Sequence, residues 1–168
     1  GGAWNSTYYF HPQDIAADNR TDMEQEMVDS NFISVPVYVV STSGSGTSAK
    51  ITSSIRTDFK ELALDNLKMF VKDSEKMAEI PSGLTSVTPS SDAVLTQAGS
   101  LVYRTMFMWN DYNTAGRPCH TTDMTGMPSL LIWGYGGLYP VAMLNNVAPA
   151  QMATAVHASN AHRTVLGW

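Results

Sequence analysis

The stretch D-F-K-E-L-A-L-D-N-L-K-M-F-V-K-D-S-E-K-M-A-E, residues 58–79, decides how this chain is read. Phe59, Leu62, Ala63, Phe70, Val71 and Met77 follow a 3.6-residue period, which predicts an amphipathic helix with its apolar stripe turned to a core. Thr57 is placed to cap its first turn and Pro81 to stop it. Lys60, Lys68, Lys72 and Lys76 alternate with Glu61, Asp65, Asp73 and Glu75, the pattern of a solvated face rather than of a phosphate track.

The segments around it supply the rest of the expected fold. Upstream, F-I-S-V-P-V-Y-V-V-S at 32–41 has strand character, with Pro36 assigning it to an edge or a bulge. The following S-T-S-G-S-G-T-S, 41–48, has the composition of a flexible connector and lacks the lysine and spacing of a P-loop. Downstream, a Ser/Thr/Pro loop at 81–92 leads to a short helical turn ending near Gly99, then to a strand over 101–109 in which Leu101, Tyr103, Thr105, Phe107 and Trp109 share one face. Residues 113–127 read as a loop. Ser129–Trp133 and Leu138–Leu144 read as strands joined across G-Y-G-G.

The C-terminal run from Pro149 to Arg163 predicts a second helix. At the other end, Asp14, Asp18, Asp22 and Glu26 recur every four residues, and Thr21 with Glu24 forms a capping box. The expected architecture is therefore α+β. An antiparallel or mixed sheet of about four to five strands is packed by the helix near 58–79 and a C-terminal helix near 149–163. An acidic arm or short helices occupy 1–30, and a single domain occupies 31–168.

Charge is distributed unevenly along the 168 residues. The first 79 carry seven Lys or Arg and twelve Asp or Glu, while the rest carry only Arg104, Arg117, Arg163, Asp92, Asp111 and Asp123. Between Asp123 and Arg163 there is no formally charged residue. A water-exposed monomer usually charges about a quarter of its residues, so a neutral half this long calls for burial or a partner. The net charge of −5 argues against nucleic acid, which demands a basic patch. Residues 127–144 are uncharged but broken by Pro128, Gly134, Gly136, Gly137 and Pro140, so no transmembrane helix is expected. The opening Gly-Gly-Ala-Trp has no signal-peptide pattern, consistent with a mature or trimmed form.

Candidates for chemistry are few. Cys119 is the single cysteine, and with His120 beside it the pair is the first place to seek a nucleophile. Neighbours in sequence seldom face one another, and a papain-like site would draw its histidine from afar, from His11, His157 or His162. His157 and His162 stand roughly 140° apart around a helix, unsuited to a shared zinc. No metal site and no cofactor motif is expected. Trp109, Tyr112, Trp133, Tyr135 and Tyr139 are the better leads, because rigid aromatics among glycines make recognition surfaces.

The sequence thus leads to a non-enzymatic structural or surface-recognition subunit of a larger extracellular assembly, of the virion or bacterial-appendage kind. It would associate with itself, or with a partner protein, through its charge-poor aromatic face. The alternatives are a small secreted or periplasmic hydrolase using Cys119 or a histidine, and a module binding a carbohydrate or receptor through the aromatics.

Overall fold

The computed structural model describes residues 4–45, 48–64, 67–82, 90–147 and 151. Among the described residues eight strands follow one another in sheet order β1 to β8, antiparallel within β1–β4 and within β5–β8. Two short α-helices accompany them there. This corrects the expected sheet of four to five strands packed by two helices, one of them near 58–79. The chain divides into two compact units, Gly1–Met106 and Phe107–Trp168.

In the first unit β1 (Trp4–Phe10) pairs with β2 (Tyr38–Ser45), from Trp4↔Gly44 to Phe10↔Tyr38. Between them lie two 3-10 turns and helix α1 (Asp22–Asp29). The capping box at its start is formed: the Thr21 N–H donates to Glu24 Oε2 at 2.7 Å, and the Glu24 N–H to Thr21 Oγ1 at 3.2 Å. β2 runs through most of the stretch expected to be a flexible connector and pairs with β3 (Ser48–Leu64) out to Ser45↔Ser48.

The expected helix over 58–79 is an antiparallel hairpin, the end of β3 with β4 (Leu67–Ala78), in register from Ile55↔Met77 to Leu64↔Leu67. Its charges pair across the strands rather than along one face. Lys68 Nζ lies 3.0 Å from Glu61, Lys60 3.2 Å from Asp73, and Lys76 2.5 Å from Asp58. Opposite charges on neighbouring strands each add a few tenths of a kcal/mol. The register shifts between Asp58↔Ser74 and Phe59↔Lys72, so the extra residue, Asp73, interrupts the alternation along β4. Phe70 and Val71 lie in the regular part of the ladder and are both buried, so apolar residues stand side by side where a one-sided strand would alternate.

Helix α2 (Ser91–Gly99), capped by Ser90, and the start of β5 (Tyr103–Tyr112) complete the first unit. Its core gathers Phe10, Val40, Ile51 and Phe70 from the strands, Met27 from α1, and Val94 and Ala98 from α2. The packing helices are thus short ones at 22–29 and 91–99. The helix expected near 149–163 lies outside the described residues, as do His157 and His162.

Polar groups inside this unit are matched. The Tyr103 hydroxyl donates to the Ala98 carbonyl at 3.1 Å, so its oxygen is left to accept from Ser54 Oγ at 2.7 Å. Arg56 sits at the centre of a larger cluster. Its Nε donates to Asp58 at 2.8 Å, one terminal nitrogen to the Tyr38 hydroxyl at 2.9 Å, and the other faces the buried Glu24 carboxylate at 3.6 Å. Burial alone would raise the Asp58 pKa, but the hydrogen bond from Lys76 and the charge of Arg56 hold it below the usual carboxylate range. A cavity of about 550 Å³ opens beside Arg56 and Tyr38, between the 3-10 turns and α2.

In the second unit β5 continues to Tyr112 and pairs with β6 (Pro118–Asp123), which occupies part of the region expected to be a loop. β6 pairs with β7 (Pro128–Gly134), and β7 with β8 (Tyr139–Asn145), close to the two strands expected there. Among the described residues no helix is long and apolar enough to cross a membrane.

Candidate functional site

The second unit holds every aromatic and thiol candidate read from the sequence, and its backbone sorts them into separate places. Asn113 organises one end. Its side-chain oxygen accepts from the Ala115 and Arg117 N–H groups at 2.9 Å each, which closes the loop between β5 and β6. Gly137 is left-handed at φ 85°, and a Cβ there would stand 3.2 Å from both Ala115 Cβ and Asn113 Nδ2. Only glycine lets the β7–β8 turn approach that loop so closely.

This approach fixes Trp133 in place. Its indole N–H donates to the Pro118 carbonyl at 2.7 Å, and the Arg117 guanidinium lies 5.9 Å from its ring centre. Trp109 packs edge-on against Phe107 at 4.8 Å, and Tyr112 lies opposite Pro118 in the β5–β6 ladder; both are half-buried. These three aromatics serve the fold of the unit.

Tyr135 and Tyr139 differ from them. Their rings meet edge to face at 6.1 Å and 81°, and together with Leu138, Val141 and Met143 they are 55–72% exposed. Tyr135 has φ 52°, a left-handed conformation uncommon for so bulky a residue. Such a conformation costs on the order of 1 kcal/mol and is typically found where a ring must be presented in one direction. Along β8 the bulge at Val141 breaks the alternation, so that Tyr139, opposite Gly134, and Met143, opposite Leu131, leave different faces of the strand. Leu138, Val141 and Met143 belong to the same site, yet the aromatic content of the sequence did not single them out. Their signal was the gathering of large apolar residues within a run free of charge.

Cys119 and His120 are neighbours on β6, so their side chains leave opposite faces of the strand. The thiol donates to the Arg117 carbonyl at 3.6 Å. Burial pushes its pKa up, and the Asp111 carboxylate adds to the effect. His120 Nδ1 instead meets Asp111 Oδ2 at 3.2 Å, across the ladder pair Asp111↔His120. The thiol is therefore held protonated at neutral pH, apart from the imidazole, which is the reverse of an activated nucleophile. Among the described residues no group of three His, Cys, Asp or Glu side chains is placed to hold a metal ion.

Comparison of the chain with known protein families, curated proteins and solved structures finds no match.

Proposed function

We propose that this chain is a non-enzymatic structural subunit of a larger extracellular assembly, of the virion or appendage kind, and that it associates with further copies of itself through β8 and the turn before it. One observation carries the reading. Tyr139, Val141 and Met143 on β8, at the end of the sheet order, and Tyr135 and Leu138 in the turn before it are all large side chains left exposed. Exposed apolar side chains concentrated in one short segment point to an interaction site.

The occupant follows from charge. The chain is acidic overall, with a net charge of −5, so two copies repel wherever their charged faces meet. The segment from Met124 to His162 carries no formal charge, so copies can meet at β8 without that cost. The low charge content, with Ser and Thr in place of Lys and Glu, supports an extracellular setting. Sugar stacking is the less favoured use of the same residues, because the two tyrosine rings are nearly perpendicular and offer no common flat face.

Sedimentation velocity over a concentration series tests the reading. The native chain is expected to form oligomers, and Val141→Asp with Met143→Asp to run as a monomer. A native chain that sediments as a monomer at every concentration overturns it.

A further inference from the structure

Natural sheets guard their end strands with lysines, prolines or short length, because an open edge recruits other chains. Here the charged guards are missing from both ends, and Pro140 on β8 is the one proline at either end. The interior strands β3 and β4 carry ten charged side chains between them, whereas β1 and β8, at the two ends of the order, carry none. The two end strands are matched in length at seven residues each. β1 also presents apolar surface, with Trp4 and Tyr9 at 77% and 60% exposure.

We infer that the two ends are complementary, so that β1 of one copy adds to β8 of the next and continues the sheet head to tail. This rests on the self-association proposed above and names its geometry. Pro140 favours β1 over a second β8 as the neighbour. Proline has no N–H to give a ladder, so two copies of β8 meeting each other would bring two prolines to the seam, while β1 has no proline to interrupt the N–H groups of its free edge. Pairing unlike edges is heterologous, and each added copy exposes a fresh edge, so growth stops only if a ring closes. Affinity then comes from main-chain hydrogen bonds, and selectivity from the alternating side chains on each strand.

The test uses the full chain with one edge blocked at a time, Ser6→Lys on β1 or Val141→Lys on β8, after circular dichroism has verified a native sheet. Met143→Lys replaces Val141→Lys if the latter fails to fold. In sedimentation velocity the native chain is expected to form species larger than dimers. Each blocked variant alone should be a monomer, and an equimolar mixture of the two should give a species of twice the monomer mass and nothing larger. A native dimer that persists in Ser6→Lys but is lost in Val141→Lys would show β8 pairing with itself. That result overturns the head-to-tail geometry and leaves self-association standing. A mixture that stays monomeric also overturns the geometry. A native chain that is monomeric throughout removes both proposals.

Discussion

Val141 lies against the backbone of Gly134 so closely that a Cβ on residue 134 would stand 2.6 Å from Val141 Cγ1. The bulge in the β7–β8 ladder brings them together: the register shifts between Ile132↔Ala142 and Trp133↔Pro140, leaving Val141 as the extra residue. Valine is stiff at χ1 and cannot swing clear without leaving its preferred rotamer. Gly134→Ala is therefore expected to cost about 1 kcal/mol, the low end for overpacking, and Val141→Ala in the same chain should recover most of it. Urea unfolding of the two single variants and the double variant measures the coupling.

Arg56 supports a different part of the molecule. It stands between the Glu24 and Asp58 carboxylates and also holds the Tyr38 hydroxyl. Arg56→Met keeps much of the packing volume but strands the Glu24 charge, which is only 6% exposed. Removing one member of a buried pair costs about 3 kcal/mol or more. The loss should appear as a lower urea midpoint with an unchanged slope, as expected when the fold is retained.

The depressed Asp58 pKa makes stability fall in acid. The folded form holds Asp58 below its ordinary value of 3.8, so its contribution is complete above that value and is lost as the pH falls through the folded pKa. Asp58→Asn is expected to be less stable than the native chain at pH 7. The gap should narrow below pH 3.8 and close once the native carboxylate is protonated. Urea midpoints of both proteins across the acid range measure it, and a gap of constant size contradicts the assignment.

Cys119 should react slowly for a free thiol. Its pKa is raised by burial and by Asp111, so the thiolate fraction at pH 8 is smaller than that of an unperturbed cysteine. Alkylation by iodoacetamide is expected to accelerate with pH along a titration curve centred above about 8.5, the ordinary thiol value. Asp111→Asn should shift that curve downward. Reaction at neutral pH as fast as an activated thiol would contradict the burial argument.

The sequence carried the α1 capping box, the short helix ending at Gly99, and the β7 and β8 strands, because each depends on neighbours a few residues apart. The 58–79 segment misled because its decisive constraint is a partner strand. Adjacent apolar pairs, Leu62-Ala63 and Phe70-Val71, point to opposite faces of the hairpin but in the sequence imitate the spacing of a helix. A local signal was nevertheless present. Leu64 pairs with Leu67, leaving Asp65-Asn66 between them, a pair of residue types suited to two-residue hairpin loops. β6 was obscured by Pro118 and by a polar composition that resembles a loop until β5 and β7 flank it. For the candidate site, the neutral composition marked the same region as the exposed side chains of β8 and its turn. It did not separate Trp133, committed to the Pro118 carbonyl, from Tyr135, which faces water.

The sequential strand order also bears on how the chain is made. Neighbours in the sheet are strands consecutive in the chain, so closing each ladder demands little loop entropy. During synthesis β1 to β4 can zip together before β7 and β8 have left the ribosome. β8, with its exposed apolar side chains, thus emerges after strands that already have partners, which shortens the interval in which it could capture a wrong neighbour.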